Sequence, residues 1–97
     1  MVRLSRHNSV SQWKHEQVLR YPEIKLFIEK LETMVKDNPD KGLFDPILSE
    51  TGEIWTCRKQ SVNITLFSHW YAIGYSYIIA HYIYNETDVY IIRMSFN

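Results

Sequence analysis

The spacing of apolar residues changes once along the chain, from helical to alternating. In the segment YPEIKLFIEKLETMVKDNP, apolar residues recur every three or four positions, which predicts a helix with one buried face. Pro22 suits the first turn of this helix, and Asn38, Pro39 and Gly42 predict its end. The predicted buried face consists of Ile24, Phe27, Ile28, Leu31, Met34 and Val35.

Two further features are predicted in the N-terminal half. The segment NSVSQWKHEQVLR predicts a first helix, because Ser9 and Gln12 have the spacing of a capping box, and VRLS before it could form a short strand. On the second helix we expect Glu32 and Lys36 to form an exposed ion pair, since they are four residues apart.

Alternation begins after the connector DKGLFDPILSETGE, which contains Gly42, Pro46 and Gly52. We expect one strand at EIWTCRK, a short strand or arm at NITLFS, a long strand over residues 70 to 84 and a last strand over residues 88 to 96, with NETD as the final turn. This order predicts an α+β domain in which two N-terminal helices pack on one face of an antiparallel sheet.

Composition agrees with a single folded domain over residues 1 to 97. Hydrophobic residues make up 45% of the chain and aromatic residues 14%, with only three glycines and three prolines, which excludes a disordered or low-complexity protein. The formal net charge is zero, so the chain lacks the basic charge typical of nucleic-acid binders.

Cysteine content and the N-terminal residues bear on the cellular compartment. Cys57 is the single cysteine, so no internal disulfide can form, and we expect a buried thiol. The first fifteen residues lack the apolar core of a signal peptide, and the longest apolar stretch, residues 71 to 84, is too short for a membrane helix. We therefore expect a cytoplasmic protein without a membrane partner.

The predicted last strand carries the first candidate for chemistry. Alternation assigns Tyr90, Ile92, Met94 and Phe96 to a core face and places Arg93 on the opposite face. Arg58 and Lys59 point to opposite faces of an earlier strand, so only one of them can join Arg93. Two cations on one face would suit a phosphate, whereas the alternative is a solvated arginine or a surface ion pair with Glu53.

Other candidates from the sequence are weaker. The tyrosines of the predicted strands suit either base stacking or ordinary packing in a half-buried sheet. They are Tyr71, Tyr75, Tyr77, Tyr82, Tyr84 and Tyr90. His69 and His81 are twelve positions apart without a second cysteine or an HExxH motif, so we expect no metal site and no cofactor.

Three segments together resemble the RelE/ParE superfamily of toxins from toxin–antitoxin systems. YPEIKLFIEKLETMVKDNPDKG is similar to the second helix of that family with its N-P-x-x-G stop, GEIWTCRK to its first central strand, and YAIGYSYI with VYIIRMSF to its closing hairpin. The order and spacing of these segments, over most of the chain, carry the resemblance. It implies a RelE-like domain with two N-terminal helices against an antiparallel sheet.

The resemblance also implies a function. In RNA-cleaving members of the family, basic residues on the central strands hold mRNA in the ribosomal A site and assist attack by the ribose 2′-OH. By position, Arg58 or Lys59 matches the basic residue of the first central strand and Arg93 that of the last strand, so these three are the candidate catalytic residues. The implied protein is the toxin of a type II pair, a ribosome-dependent mRNA endonuclease that inhibits translation, with a cognate antitoxin as its partner.

A non-enzymatic binding module is the alternative, either a ParE-like inhibitor of a topoisomerase or an inactive toxin homologue. Ala72 stands where the family carries an arginine in the sequence Tyr-Arg-Ile, and this difference favours the alternative. In both cases we expect a partner protein to cover exposed apolar surface, with Trp13, Trp55 and Trp70 as candidate anchors.

Overall fold

The computed structural model describes residues 2 to 49 and 51 to 97, and it has the α+β architecture expected from the sequence. Its helices are α1 (Asn8–Arg20), α2 (Ile24–Asp37) and α3 (Thr65–Tyr71), and its strands are β1 (Arg3–Arg6), β2 (Leu43–Phe44), β3 (Ile47–Leu48), β4 (Ile54–Trp55), β5 (Arg58–Asn63), β6 (Tyr77–Tyr84) and β7 (Asp88–Phe96). Among the helices of the described residues, none has both the length and the apolar character needed to cross a bilayer.

The main sheet has five strands in the order β1, β7, β6, β5, β2. The pairs between β2 and β5, β5 and β6, and β6 and β7 are antiparallel, whereas β1 pairs with β7 in parallel. The sheet is therefore mixed, because the short N-terminal strand adds a parallel edge to the expected antiparallel meander. The predicted last strand over residues 88 to 96 and the turn before it are confirmed.

The two N-terminal helices pack on one face of this sheet, as expected. Helix α2 buries four of the six residues of its predicted face, and it leaves Phe27 and Met34 only partly buried. The sheet contributes alternate residues of β6 and β7 to the same core, among them Ile78, Ala80, Tyr82, Val89 and Ile91. We call the opposite side of the sheet the distal face; it carries Lys59, His81 and Arg93.

The predicted short strand at NITLFS is wrong, because helix α3 takes its place, and the long strand predicted over residues 70 to 84 is confirmed only over Tyr77–Tyr84. Asn63 Oδ1 accepts a hydrogen bond from the Thr65 backbone N–H at 2.8 Å, a local turn that leads into α3, whose N-cap residue is Ile64. Ile64 and Phe67 are buried at helical spacing on the core side. The helix ends at Ala72, which has a left-handed backbone with φ of 53°, and β6 starts only at Tyr77.

The predicted strand EIWTCRK is also interrupted. Residues Ile54–Trp55 pair with Ile47–Leu48 in a separate two-stranded hairpin, which we call the β3–β4 hairpin, and β5 begins only at Arg58. Between them, Cys57 exchanges two hydrogen bonds with Asp45: the Asp45 N–H donates to the Cys57 carbonyl at 2.9 Å, and the Cys57 thiol donates to the Asp45 carbonyl at 3.0 Å. These bonds hold the hairpin's base against the main sheet.

Two local predictions in the N-terminal half need correction. His7 rather than Ser9 caps α1, since its ring nitrogen Nδ1 accepts a hydrogen bond from the Ser9 backbone N–H at 3.1 Å. Glu32 does not form an exposed pair with Lys36. It is buried, and it accepts hydrogen bonds from Arg6 Nε and from Lys14 Nζ, the latter at 2.8 Å.

A β-bulge at Ile92 changes the predicted faces of β7. Tyr82 pairs with Ile91 while His81 pairs with Arg93, so Ile92 is the extra residue between them. Of the predicted core set, Ile92 and Met94 are buried and Phe96 packs against the core, whereas Tyr90 is only partly buried and Val89 and Ile91 take the core positions before the bulge. Arg93 faces away from the helices, as expected.

Candidate functional site

A row of three basic side chains crosses the distal face of the sheet. Lys59 on β5 pairs with His81 on β6, and His81 pairs with Arg93 on β7. Because directly opposed residues share a face, the three side chains lie side by side. Neighbouring strands are spaced so that the backbones of Lys59 and Arg93 lie about 10 Å apart, with His81 between them.

Asp45 contacts two members of this row from the loop between β2 and β3. Its Oδ2 lies 2.8 Å from His81 Nε2 and 3.5 Å from Lys59 Nζ. The hydrogen bond with His81 lowers the pKa of the Asp45 carboxyl below its ordinary value, and the charge of Lys59 lowers this pKa further. Asp45 is therefore ionised at neutral pH, and His81 Nε2 is the donor in the bond between them.

The second ring nitrogen of His81 has no such partner. The side chain is only 8% exposed, and Nδ1 is buried without a hydrogen-bond partner among the described residues. When the ring is neutral and Nε2 carries the proton, Nδ1 presents an unpaired acceptor. Because Nδ1 is buried, a ligand on the distal face would reach the ring at Nε2, the nitrogen that Asp45 binds.

The predicted catalytic residues separate into two locations. Lys59 and Arg93 both lie on the distal face, and Arg93 is solvent-exposed. Arg58 lies on the opposite face, where its Nη1 donates to the Gly42 carbonyl at 2.7 Å and its guanidinium sits 6.0 Å from the centre of the Tyr84 ring. Lys59 is thus the residue that joins Arg93, and Arg58 holds the segment after α2 to the sheet at Gly42.

Cys57 lies beside this row but is not suited to act as a nucleophile. Burial raises the pKa of its thiol, and the charge of Asp45 raises this pKa further, whereas the opposing effect of Arg93 is smaller. The thiol is buried, as expected from the sequence. It stays protonated at neutral pH and serves as a hydrogen-bond donor to the loop that carries Asp45.

A groove of about 580 Å³ opens next to Arg93. Strand β1 pairs with β7 only as far as Ile91, so α1 and the β3–β4 hairpin flank the remainder of this strand. The groove is lined by His7, Ser9, Val10 and Trp13 of the α1 region, by Ile47, Leu48, Ser49, Thr51 and Trp55 of the hairpin, and by Ile92, Arg93 and Met94 of β7. Arg93 therefore belongs both to the basic row and to the groove.

The three tryptophans lie in different environments. Trp13 is partly buried and packs against Phe96 at a ring distance of 5.1 Å, and Trp55 is partly buried in the β3–β4 hairpin. Trp70 is 83% exposed on α3, next to Leu66, which is 81% exposed. Trp70 is the one of the three that presents most of its surface to a partner protein.

Sequence reasoning missed Asp45 and His81. Asp45 lies in a connector with no periodicity, and the contact between them joins residues 36 positions apart. Comparison of the chain with models of protein families, with curated proteins and with solved structures found no match.

Proposed function

We propose that this protein is the toxin of a type II toxin–antitoxin pair and that it cleaves mRNA on the ribosome, in the cytoplasm. One observation carries the proposal: Lys59 and Arg93 flank His81 on the sheet face opposite the helices, and Asp45 holds His81 from the adjacent loop. The order of two helices before a mainly antiparallel sheet also supports a RelE-like toxin.

The row contains the groups that RNA cleavage by an internal ribose requires. The 2′-oxygen loses its proton and bonds to the adjacent phosphorus, and the bond from phosphorus to the 5′-oxygen breaks as that oxygen gains a proton. Lys59 and Arg93 would stabilise the charge on the phosphate oxygens. Once the phosphate displaces Asp45, His81 Nε2 would exchange a proton with the reacting oxygens.

A second row of distal-face residues, next to the basic row, also suits contact with an RNA backbone. Two residues along the strands, Ser61 pairs with Ile79, and Ile79 pairs with Ser95. These two serines lie on the same face as Lys59 and Arg93 because side chains alternate along a strand. Serine hydroxyls bind phosphate and sugar oxygens without selecting a base sequence, so they would position the strand next to the basic row.

Zero net charge determines how RNA would be held on this face. A chain without excess positive charge has little long-range attraction for free RNA or for the RNA of a ribosome. An RNA strand on the distal face would therefore depend on the short-range contacts of Lys59 and Arg93.

A non-enzymatic binding module is the second candidate, and a specific observation favours it. Leu66 and Trp70 of α3 expose most of their surface, and Ala72, which the sequence matched to a strand arginine of the resembled family, lies at the end of α3 and outside the strands. Exposed leucine and tryptophan side chains favour a protein partner. This partner would be the antitoxin in a toxin pair, or a topoisomerase if the chain inhibits that enzyme.

Induction of the protein in a bacterial host, followed by mapping of transcript 5′ ends, tests the first proposal. We expect growth arrest and new 5′ ends within translated codons. Lys59→Ala combined with Arg93→Ala should abolish both effects, because the two cations that would contact the phosphate are removed. Cooperative thermal unfolding of the purified double variant would show that loss of activity is not loss of fold.

The matched control combines Arg20→Ala with Lys30→Ala, which removes the same charge from exposed positions on the two N-terminal helices. This control should cut transcripts as the unchanged protein does. Growth arrest with intact transcripts would contradict the endonuclease proposal. If the supercoiling of a reporter plasmid then changed, the result would support the topoisomerase inhibitor instead.

A further inference from the structure

We propose that the groove beside Arg93 binds the base of the nucleotide whose phosphate lies on the basic row. The inference rests on the proposed function, since it gives the same site a subsite for one nucleoside. It follows from the position of Arg93, which lies in the row with His81 and also lines the groove. A ligand with its phosphate on Arg93 would extend its remaining part into the groove.

The walls of the groove provide aromatic surface. Trp13 of α1 and Trp55 of β4 lie on different elements that both line it. Ile92, the extra residue of the bulge, also lines the groove with an apolar side chain that is mostly buried. Indole rings are favourable stacking surfaces for nucleobases, and stacking tolerates any base because every base has a π-face.

The charges around the groove favour an anionic occupant. Arg93 is the charged residue among the described lining residues, since the His7 ring accepts a hydrogen bond through Nδ1, and the first turn of α1, which begins at the groove, contains no acidic residue. No carboxylate is present among the described residues that line the groove. A nucleotide combines the required negative group with a planar apolar body, whereas an uncharged apolar ligand would leave Arg93 without a partner.

The size of the groove also fits one nucleotide. A volume of about 580 Å³ falls within the range of pockets that hold small organic ligands. Ser9, Ser49 and Thr51 add hydroxyls to its lining, which can hydrogen-bond to a ribose or to the edge of a base. We therefore expect the groove to bind the base by stacking and to discriminate little among the four bases.

Isothermal titration of the unchanged chain with three ligands tests the inference without any mutation. The ligands are inorganic phosphate, ribose 5-phosphate and adenosine 5′-monophosphate, which add the sugar and then the base in turn. We expect the complete nucleotide to bind about tenfold more tightly than ribose 5-phosphate, the gain that stacking of one base provides. Equal affinities for these two ligands would overturn the inference.

Variants then locate the binding site of the base. Trp55→Leu should reduce the affinity for the nucleotide to that for ribose 5-phosphate, and it should leave phosphate binding unchanged. Trp70→Leu, a matched change on the exposed side of α3, should alter none of the three affinities. A Trp55→Leu variant that binds the nucleotide as tightly as the unchanged chain would place the base elsewhere and overturn the inference.

The same titrations separate failure of this inference from failure of the proposed function. If phosphate and ribose 5-phosphate bind through Arg93, as shown by weaker binding to Arg93→Ala, but the base adds nothing, only the groove assignment fails. If none of the ligands binds, the phosphate site fails and the inference fails with it. Tight binding of an acidic peptide in place of the nucleotide would assign the groove to a protein partner instead.

Discussion

Asp45 determines how available the basic row is to a ligand. Its carboxylate lies within 2.8 Å of His81 Nε2 and 3.5 Å of Lys59 Nζ, so an incoming phosphate would share these donors with a group of the chain itself. Arg93 differs, since no carboxylate lies within ion-pair distance of it in the part of the chain that the structure describes. Arg93 would therefore make the first contact with a phosphate, and displacement of Asp45 would follow.

The lowered pKa of Asp45 makes its contribution to stability dependent on pH. A carboxyl whose pKa is lowered on folding stabilises the fold above its ordinary value of 3.8, and this contribution is lost as the pH falls through the lowered value. We expect Asp45→Asn to unfold at a lower urea concentration than the unchanged protein at pH 6. The difference should shrink as the pH falls below 3.8 and vanish once the carboxyl is fully protonated.

Urea unfolding at a series of pH values measures this effect. Asp40→Asn is the control, because Asp40 is exposed and forms no ion pair among the residues described. That variant should match the unchanged protein at pH 6. A difference between Asp45→Asn and the unchanged protein that stays constant down to the lowest pH would show that the ionised form of Asp45 contributes nothing to stability.

Elements with a strong period and clear end signals were predictable from the sequence. Helix α2 follows its apolar spacing closely, and β7 has the predicted bounds because a turn signal precedes it. Helix α3 was missed because Phe67, Trp70 and Tyr71 also favour strands, and only the Asn63 turn and the burial of Ile64 and Phe67 select a helix. The intrinsic helix and strand propensities of these residues therefore could not decide between a helix and a strand.

The basic row was only partly predictable for a related reason. Simple pairing outward from the turn before β7 would place His81 opposite Ile92. The bulge shifts the register by one residue and brings His81 opposite Arg93 instead. A bulge depends on how the two strands pack against the rest of the fold, and the alternation of a single strand contains no signal for it. Asp45 required a tertiary contact that no local pattern encodes.

Glu32 connects three elements of the fold and was misassigned because of its charge. Its position four residues after Ile28 is compatible with the buried face of α2. Arg6 of β1 and Lys14 of α1 both donate to its carboxylate, which is only 5% exposed. Two basic partners from other elements make burial of the charge possible, and neither could be assigned to Glu32 from the sequence.

Glu32→Ala should destabilise the protein by about 3 kcal/mol, since it leaves two partly buried cations without their shared acceptor. Urea unfolding at neutral pH measures this loss. Glu29→Ala is the matched control on the same helix, because Glu29 is exposed and its pair with Lys25 has a separation of 3.7 Å. The control should change stability by less than about 0.5 kcal/mol. Equal effects of the two variants would show that Glu32 does not tie the elements together.

Across the whole molecule, the basic and acidic side chains are equal in number. An anion is therefore favoured only where basic side chains are grouped, as in the basic row of the distal face. Eleven basic lysine and arginine side chains are matched by eleven acidic ones. Several of the basic side chains outside the basic row are paired with carboxylates, as Arg3 is with Asp88 and Lys25 with Glu29. Affinity for RNA should then come from a few short-range contacts rather than from the field of the whole protein.

The salt dependence of RNA binding tests this balance. Each phosphate neutralised on a single strand makes the slope of log K against log salt more negative by about 0.7. Two contacts, from Lys59 and Arg93, therefore predict a slope of about −1.4. Fluorescence anisotropy with a labelled single-stranded RNA, from about 50 to 200 mM salt, measures it. Lys59→Ala and Arg93→Ala should each reduce the slope by half, whereas Lys30→Ala on α2 should leave it unchanged. A steep slope that neither distal-face variant alters would place the RNA on another surface and leave the basic row without its proposed ligand.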